Sequence, residues 1–510
     1  MSDGLSFGHE LAAIRSDNGS MTPTHRTLRE LLPDAPGAFA DVSVAGLTAD
    51  SRQVGPGFAF VAIPGTKADG SAFIADAASR GASLIVGEGG RPAGLPDAVA
   101  YSRVPDARRA LATLASRFHP GQPDTIVAVT GTSGKSSVAD FVRQLFAAVG
   151  RRSASLGTLG VITSDGAAYG SLTTPDPVTL HETLDRLAAD GVTHLAMEAS
   201  SHGLDQHRLD GVRLAAAAFT NLGRDHLDYH LNVEEYLQAK LRLFRELLPE
   251  GAPVVVNGDG PEGARVAAEA RAHGRNVLTV GREGEFIRLL GVEPAGFAQR
   301  LRLLVGGREM TTDLPLVGAF QVENALVAAG LVLASEPEVD GLARRVVSAL
   351  ATLTGVPGRM ERVGEVNGAL CVVDYAHKPE ALAHVLDALR PFATGRLVCV
   401  FGCGGDRDRG KRPIMGAIAA KKADIAVVTD DNPRSEEPAA IRAAILAAAP
   451  GACEIGDRAE AIRMAVRGLG PGDVLVVAGK GHETGQIVGD RTLPFSDHDV
   501  IRAAIAERDA

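Results

Sequence analysis

The sequence contains no tryptophan, and aromatic residues make up only 4% of its 510 positions. Hydrophobic cores must therefore be built from aliphatic side chains, and the 45% share of hydrophobic residues is ample for this purpose. A chain of 510 residues is too long for one ordinary domain. About three domains are expected.

Cysteine is also scarce. The spacing of the cysteines contains no C-x-x-C pair, so a zinc ribbon is not expected. Reduced thiols are expected instead of a disulfide framework. The four cysteines all lie in the last third of the chain: Cys371, Cys399, Cys403 and Cys453.

The chain has no apolar run of about eighteen residues, so no transmembrane helix or membrane insertion is expected. Its beginning lacks a basic region followed by an apolar core, so no secretory signal is expected. The formal net charge is −10, with acidic and basic residues mixed along the chain. This balance argues against a nucleic-acid partner. We expect a cytoplasmic protein and, although the sequence does not fix the oligomeric state, a monomer.

Breaks rich in proline and glycine divide the chain at residues 119–124 and 354–358. They predict three α/β domains: a small domain at 26–118, a central domain at 119–353 and a last domain at 354–510. Strands alternate with helices in the second and third domains, which predicts parallel sheets. Most polar clusters follow the carboxyl end of an apolar strand, where ligands bind in such sheets.

The clearest motif is a glycine-rich turn between an apolar run at 125–130 and an amphipathic helix pattern. Such a turn presents backbone N–H groups, a helix N-terminus and a lysine to a phosphate chain, and leaves a hydroxyl for Mg²⁺. Val129 stands where the general P-loop rule has glycine. The motif predicts a nucleoside triphosphate site made of Gly131, Thr132, Ser133, Gly134, Lys135, Ser136 and Ser137.

Two further segments bring candidate metal ligands. Glu198 ends an apolar strand, where a carboxylate near a P-loop is a natural Mg²⁺ ligand. The alternative is a loop or helix-capping glutamate. His226 lies in a segment dense in His and Asp, and we assign it a metal role because Glu198 and the P-loop support it.

Lys240 falls on the apolar face of a helix predicted over residues 233–248, together with Val233, Leu237, Phe244 and Leu248. A lysine in this position either extends its amine to water or loses its charge. A neutral amine can react with CO₂ to form a carbamate, which is an anion suited to hold Mg²⁺. We take carbamylation as the hypothesis.

These segments together resemble the Mur ligases. The resemblance covers residues 45 to 490, and the matching motifs are GTSGKSS at 131–137, MEASSHGL at 197–204, TNLGRDHLDYH at 220–230, GRME at 358–361, DYAH at 374–377 and the region around Lys240. It implies a UDP-binding domain, a central P-loop ATPase domain and a C-terminal Rossmann-like domain.

The resemblance also implies a reaction with ATP and Mg²⁺. ATP phosphorylates the free carboxylate of UDP-N-acetylmuramoyl-L-alanyl-D-glutamate, and the amine of a diamino acid attacks the acyl phosphate to form an amide, in peptidoglycan precursor synthesis. By resemblance, Ser136, Glu198, His226 and carbamylated Lys240 hold the metal, and Lys135, Lys240 and His226 are catalytic. Further ATP contacts are Asn324, Arg359, Asp374 and His377. The nucleotide-sugar peptide contacts are Ser51, Thr66, Lys67, Ala68, Thr173, Thr174, Ser200, Gln206 and Arg208.

The segment DNPR at 431–434 resembles the signature of family members that add meso-diaminopimelate. This amino acid carries a distal carboxylate that lysine lacks, and a guanidinium binds a carboxylate through paired hydrogen bonds. Arg434 would then clamp that end, unless it forms a surface ion pair with Glu436 or Glu437. The implied diaminopimelate contacts are Arg407, Asp431, Asn432, Pro433, Arg434, Gly479 and Glu483.

Three other interpretations remain at this stage. An L-lysine-adding ligase of the same family shares nearly all of these motifs. Folylpolyglutamate synthetase shares the ATPase core but typically lacks a separate uridine-binding domain and the DNPR segment. A nucleotide-sensing scaffold without activity is disfavoured because Lys135, Glu198, Lys240 and His377 are all present.

Overall fold

The computed structural model describes residues 25–33, 39–65, 69–168, 172–223, 225–226, 229–337 and 339–509. The chain forms two compact units. The first comprises Met1–Ile287 and Val327–Leu342, and the second comprises Arg288–Leu326 and Ala343–Ala510. No helix among the described ranges has the length and apolar character needed to cross a membrane.

The first unit begins with a small α/β layer. Strands β3 to β6 form a parallel sheet in sequence order, and β1 and β2 form a separate antiparallel pair. The strands are β1 (Arg26–Thr27), β2 (Ser43–Val44), β3 (Gly46–Thr48), β4 (Phe58–Val61), β5 (Leu84–Gly87) and β6 (Ala100–Arg103), and the helices are α1 (Leu28–Leu31), α2 (Ile74–Ser79) and α3 (Ala107–Phe118).

The rest of the first unit is a larger wound α/β layer. Its strands are β7 (Thr125–Thr130), β8 (Ser153–Gly157), β9 (Gly160–Thr163), β10 (Gly166–Ala168), β11 (His194–Glu198), β12 (Leu214–Phe219), β13 (Pro253–Asn257) and β14 (Asn276–Gly281). Its helices are α4 (Lys135–Ala148), α5 (Pro177–Ala189), α6 (Ser201–Asp205), α7 (Val233–Arg242) and α8 (Pro261–Ala272).

The strands of this layer follow the order β10-β9-β8-β11-β7-β12-β13-β14. The six from β8 to β14 are parallel, and β9 and β10 are antiparallel additions. Central strand β7 is buried on both faces, which explains its continuous aliphatic run. Because the strands are parallel, their carboxyl ends lie along one edge, and the polar segments at 131–137 and 198–202 both follow that edge.

The second unit contains the strands β15 (Ile287–Ala295), β16 (Ala298–Val305), β17 (Arg308–Leu314), β18 (Glu361–Val366), β19 (Ala369–Asp374), β20 (Leu397–Phe401), β21 (Ile425–Val428), β22 (Cys453–Glu454), β23 (Val474–Ala478), β24 (Gly485–Val488) and β25 (Arg491–Pro494). The helices that follow α8 in the chain are α9 (Ala319–Ser335), α10 (Leu342–Ala349), α11 (Pro379–Leu389), α12 (Lys411–Lys422), α13 (Pro438–Leu446), α14 (Arg458–Arg467) and α15 (Asp497–Asp509).

The main sheet of the second unit has the order β18-β19-β23-β20-β21-β22. It is parallel apart from β18. Alternate residues of β19 enter different cores: Leu370 and Val372 pack on one face, and Cys371 and Val373 on the other. Both faces are therefore covered, as in a doubly wound fold. The predicted α/β class with parallel sheets is confirmed, whereas the boundaries predicted at 118/119 and 353/354 remain predictions.

The helix predicted over residues 233–248 is confirmed as far as Leu247, but it is not α-helical throughout. The α-helix ends at Arg242, and Leu243–Leu247 form a π-helical turn. The guanidinium of Arg275 donates to the carbonyls of Phe244 and Arg245 at 2.7 and 3.0 Å, so these acceptors are satisfied from outside the helix. Val233 is partly exposed, but Leu237, Lys240, Phe244 and Leu248 are buried as predicted.

Candidate active site

The P-loop lies between β7 and α4, as the sequence predicts. Gly134 takes a left-handed conformation with φ of 84° at the helix N-cap, a geometry that glycine adopts without strain. A side chain at Gly131 would collide with the hydroxyl of Thr220, since a Cβ would lie 2.0 Å from its Oγ1. The loop is thus packed directly against the segment that follows β12.

Hydrogen bonds connect the P-loop to that same segment. The backbone N–H of Thr132 donates to Asn221 O at 2.9 Å, and that of Ser133 donates to Asn221 Oδ1 at 3.0 Å. Thr220 Oγ1 donates to Ser133 O at 2.7 Å. These bonds fix the position of the loop, although Gly131 at its start would by itself allow many backbone conformations.

Glu198 is a buried carboxylate that contacts the first turn of the P-loop helix. Ser136 Oγ donates to Glu198 Oε1 at 2.8 Å, and Thr158 N donates to the same oxygen at 2.7 Å. Strand β8 approaches so closely that a Cβ on Gly157 would lie 2.0 Å from Oε1. Glu198 therefore does not cap a helix. It presents its oxygens beside the P-loop hydroxyl.

Ser136 and Glu198 offer adjacent oxygen donors, which are the ligands that Mg²⁺ prefers. The other two predicted ligands are His226 and Lys240. Within the described ranges, no three His, Cys, Asp or Glu side chains cluster closely enough to hold a metal ion. The predicted set does not require such a cluster, because it includes a hydroxyl and a carbamate. The oxygen pair fits the ion, and the complete set stays a prediction.

Lys240 is 1% exposed, and its Nζ donates to the carbonyl of Gly131 at 2.7 Å. The amine also lies 4.2 Å from the centre of the Tyr236 ring. Burial and the nearby charge of Lys135 hold the pKa of Lys240 well below its ordinary value, and Asp225 opposes this effect. The sequence left two outcomes for this lysine, and its side chain does not reach water.

One cavity of about 270 Å³ is lined by seven of the residues predicted for the first unit. It joins the P-loop lysine to the buried lysine and to the predicted peptide contacts. Four lining residues were not predicted as site residues: Leu172, Ser201, His202 and Tyr236. The lining consists of Lys135, Leu172, Thr173, Thr174, Ser200, Ser201, His202, Arg208, His226, Tyr236 and Lys240.

The predicted peptide contacts form a hydrogen-bonded group. Thr174 Oγ1 donates to Glu198 O at 2.9 Å and accepts from Ser200 N at 3.1 Å. Arg208 donates to Thr174 O at 2.7 Å and to Gln206 Oε1 at 2.7 Å. Burial lowers the pKa of the Arg208 guanidinium, and Asp176 opposes the shift. The group is also hydrogen-bonded to the backbone carbonyl of Glu198, the residue whose carboxylate lies beside the P-loop.

The predicted uridine contacts are partly described. Ser51 is buried at the start of a 3₁₀ turn, Ser51–Gln53, whose N-cap Asp50 accepts from Arg52 N at 3.0 Å. Thr66, Lys67 and Ala68 lie outside the described residues.

In the second unit, the predicted ATP contacts follow β19. Asp374 accepts from the backbone N–H groups of Met360 and Ala376, each at 2.7 Å. Burial nevertheless raises the pKa of the Asp374 carboxyl. Arg359 lies 5.0 Å from the centre of the Tyr375 ring. His377 Nδ1 lies 2.9 Å from Tyr375 O, and burial lowers the pKa of His377.

Asn324 lies in α9, away in sequence from these residues. It is 5% exposed, and its Nδ2 donates to Gln321 Oε1 at 3.2 Å. Its predicted role in ATP binding remains a prediction.

The two arginine segments predicted for diaminopimelate meet in the structure. Gly405 N donates to Asn432 O at 3.0 Å, which joins the loop of Arg407 to the DNPR loop. Arg434 donates through NH1 to Gly405 O at 3.0 Å and to Asn432 O at 3.3 Å. Arg407 is exposed on the first of these loops.

The predicted alternative was an ion pair of Arg434 with a neighbouring glutamate. The described residues contain no such ion pair. Glu436 instead pairs with Arg412 at 2.9 Å and with Arg409 at 3.3 Å. The bond with Arg412 is the largest of the effects that lower the pKa of Glu436 to about 2. The guanidinium of Arg434 thus forms no ion pair with the described residues, and it remains available to a ligand carboxylate.

Lys480 was missed as a site residue, although it lies between Gly479 and Glu483, which were both predicted as diaminopimelate contacts. It is 0% exposed, and its Nζ donates to Gly485 O at 2.6 Å and to Asn432 Oδ1 at 3.0 Å. Its amine also lies 3.5 Å from Asp431 Oδ1 and 3.6 Å from Glu483 Oε2. Burial lowers the pKa of Lys480, and Asp431 opposes this.

Lys480 therefore organises three residues predicted to bind the amino acid. Asn432 takes an uncommon left-handed backbone with φ of 44°, and its Nδ2 donates to Glu483 Oε2 at 2.9 Å. Gly479 packs on Asp431 so closely that a Cβ would lie 2.5 Å from Oδ2. A lysine inside a glycine-rich segment that directly follows an aliphatic strand was the sequence signal for this burial.

Comparisons with known proteins account for almost the whole chain. Three family models match: Mur ligase family, catalytic domain, at residues 43–119; Mur ligase middle domain, at 129–332; and Mur ligase, glutamate ligase domain, at 358–481. The chain belongs to the Mur ligase family. The family and the three-domain α/β fold predicted from the motifs are confirmed.

Full-length relatives of this Mur ligase share one name. The UDP-N-acetylmuramoyl-L-alanyl-D-glutamate–2,6-diaminopimelate ligase of Mesorhizobium japonicum is 57% identical over 487 residues, covering 95% of this chain and 99% of that protein. The ligase of the same name from Rhizobium meliloti is 58% identical over 480 residues, covering 93% and 97%.

Solved structures agree with this placement. A structure of a ligase with that name is 31% identical, with a TM-score of 0.74, and covers 95% of this chain and 99% of that one. Mycobacterium tuberculosis folylpolyglutamate synthase is 20% identical, with a TM-score of 0.57, and covers 73% of this chain and 92% of that one. The second likeness is one of fold alone. This Mur ligase is an enzyme, in agreement with the prediction.

Gly157→Ala tests the position of Glu198. The added Cβ would displace the carboxylate from Ser136, and we expect ATP-dependent turnover to fall by about 100-fold, as for other small displacements of reacting groups. The measurement is a steady-state phosphate-release assay. Gly89→Ala is the control, because a Cβ there meets nothing within 4 Å. Unchanged turnover in Gly157→Ala would show that the Glu198 geometry is not needed.

Lys480→Met tests the buried cation of the second unit. It leaves the carboxylates of Asp431 and Glu483 without their shared partner, so we expect a loss of roughly 3–5 kcal/mol in the stability of that unit. Differential scanning calorimetry would record a transition at lower temperature. Lys422→Met, which removes the more exposed pair with Asp387, should cost only about 0.2–1 kcal/mol. Equal shifts in the two variants would contradict the assignment.

Proposed function

We propose that the chain is the ATP-dependent ligase that adds meso-diaminopimelate to UDP-N-acetylmuramoyl-L-alanyl-D-glutamate. The observation that carries this proposal is the single cavity lined by Lys135, Lys240, Thr174, Ser200 and Arg208. The lysine that we propose binds phosphate lines this cavity together with side chains that we propose bind the peptide, which supports transfer of a phosphoryl group to the peptide carboxylate. The name shared by the full-length relatives supports the same reaction.

The reaction requires several negative groups to meet. The γ-phosphoryl group of ATP passes to the free carboxylate of the D-glutamyl residue, which gives an acyl phosphate and ADP. The amine of the incoming amino acid then attacks the acyl carbon, and phosphate leaves from the tetrahedral intermediate as the amide forms. Lys135 supplies positive charge at the phosphates, and the P-loop N–H groups position them. Arg208 orients the peptide.

We propose that Ser136 and Glu198 hold Mg²⁺, with His226 and the Lys240 carbamate beside them. When bound, Mg²⁺ would neutralise phosphate charge and act as a Lewis acid. The 2.8 Å contact between Ser136 Oγ and Glu198 Oε1 supports this pair as neighbouring ligands.

The carbamate proposal for Lys240 rests on burial. An amine whose pKa is depressed by desolvation is neutral in a larger fraction of molecules, and only the neutral amine reacts with CO₂. Carbamylation would replace a cation near Lys135 by an anion and would remove their repulsion. Because ATP is the energy source, we also propose a cytoplasmic location.

Selection of the amino acid is assigned to the second unit. Arg434, which has no ion-pair partner among the described residues and donates through NH1 to Gly405 O, would bind the distal carboxylate. Glu483, whose Oε2 lies 3.6 Å from Lys480 Nζ, would bind the distal ammonium. L-Lysine lacks the distal carboxylate, so it would leave Arg434 without its partner. This difference favours diaminopimelate over lysine.

The proposal is tested by a single-turnover product assay. Purified protein is incubated with ATP, Mg²⁺ and UDP-N-acetylmuramoyl-L-alanyl-D-glutamate, with either meso-diaminopimelate or L-lysine. We expect the tripeptide and phosphate with diaminopimelate and little product with lysine. Preference for lysine would favour the lysine-adding ligase, and absence of ATP hydrolysis with every substrate present would favour a scaffold without activity.

Arg434→Ala should weaken diaminopimelate binding by roughly 2–5 kcal/mol, the range for removing one partner of a buried charge pair. The readout is the KM for diaminopimelate, with the KM for ATP as an internal reference. Arg409→Ala is the matched control, since it removes an exposed arginine that pairs with Glu436 at 3.3 Å. An unchanged KM for diaminopimelate in Arg434→Ala would overturn the clamp.

Lys240→Ala should abolish turnover, because it removes the proposed carbamate and leaves space beside the P-loop. Acetate or formate added to the variant should restore part of the activity by supplying a carboxylate in that space. Lys421→Ala, a change of an exposed lysine, should leave turnover and its response to acetate unchanged. Full activity of untreated Lys240→Ala would refute the role of the carbamate.

A further inference from the structure

His207 stands between Gln206 and Arg208, the two residues of the turn assigned to the muramoyl peptide, and it has no role in the function proposed above. Its backbone has a φ of 58°, which is uncommon for a residue other than glycine. Its ring faces two carboxylates. Nδ1 lies 3.2 Å from Asp210 Oδ2, and Nε2 lies 3.5 Å from Asp106 Oδ2.

Asp106 belongs to the small N-terminal layer of the first unit. It is the N-cap of α3, and its Oδ1 accepts from Arg109 N at 3.0 Å. The other oxygen, Oδ2, is the one that faces His207. The Asp106 carboxylate thus caps a helix of the predicted uridine-binding domain and also contacts the turn of the predicted peptide site.

Asp210 fixes the other side of His207. It is 6% exposed, and its two oxygens accept from NH2 of Arg242 at 2.7 and 2.8 Å. Arg242 also donates through NH1 to Leu204 O at 2.9 Å. The carboxylate is therefore held by the helix that carries Lys240, and Arg109 of α3 also lies near it, with Nε 3.6 Å from Oδ2.

We propose that His207 is a positioning residue for the nucleotide-sugar peptide: its ring fixes the Gln206–Arg208 turn relative to helix α3. A substrate that binds by its uridine end to residues 26–118 and by its peptide end to this turn needs the two at a set separation. Fixing them before binding reduces the entropy lost on association. This inference rests on the proposed function.

Two substitutions test the contact between His207 and Asp106 from its two sides. His207→Asn keeps a residue that tolerates the left-handed backbone but is too short to bridge two carboxylates. Asp106→Asn keeps a good helix N-cap and removes the charge that faces the ring. His273→Asn is the matched control, since His273 lies 3.6 Å from Glu269 in an exposed pair elsewhere in the first unit.

The measurement is calorimetric titration with UDP-N-acetylmuramoyl-L-alanyl-D-glutamate and, separately, with UDP. We expect each single variant to bind the nucleotide-sugar peptide about 10-fold more weakly, because the turn is then no longer fixed before binding and must be ordered on association. The double variant should be no weaker than His207→Asn alone, because that substitution already removes the contact that Asp106→Asn removes. Binding of UDP alone, kcat at saturation and the His273→Asn control should stay within about twofold of the wild type.

The inference is overturned if His207→Asn binds the nucleotide-sugar peptide like the wild type, if UDP binding weakens equally, or if the two substitutions are additive. The titration does not require turnover. A wild type that binds the nucleotide-sugar peptide without extending it would refute the proposed function alone. A wild type that fails to bind it would refute both.

Discussion

The carbonyl oxygen of Gly131 accepts hydrogen bonds from two lysines, Lys135 at 3.0 Å and Lys240 at 2.7 Å. Two ammonium groups at one oxygen repel each other, and the repulsion is weakly screened because Lys240 is buried. The site therefore cannot keep both charges at low cost. Lys135 belongs to the P-loop, where the proposed function needs a cation for phosphate, so Lys240 is the lysine that we propose loses its charge. The chemistry proposed for the first unit depends on this constraint.

A second buried lysine shows how a different environment gives a different outcome. Lys480 has two carboxylates within 3.6 Å, whereas the amine of Lys240 forms no ion pair with any described residue. Burial lowers the pKa of both amines. Lys480 is stabilised by its partners and organises the loop assigned to the amino acid. Lys240 lacks such partners and is the better candidate for covalent chemistry.

The sequence was most informative where local pattern determines structure. The run at 125–130 forms β7, the P-loop follows it, and Glu198 ends β11 as a carboxylate beside Ser136. What it did not reveal depends on contacts between residues far apart in the chain. Arg275 donates to carbonyls of the π-helical turn after Arg242, Arg412 pairs with the carboxylate of Glu436, and Asp106 lies beside His207. No local periodicity encodes these pairings, because each is decided by the packing of separate elements.

The charge of Lys240 can be observed directly. Protein equilibrated with ¹³C-bicarbonate is studied by ¹³C NMR at the pH at which it is active, beside a Lys240→Arg variant that keeps a cation but cannot form the same carbamate. The account predicts a carbamate carbon signal in the wild type and its loss in the variant. A wild type without this signal, or a signal that persists in Lys240→Arg, would contradict it.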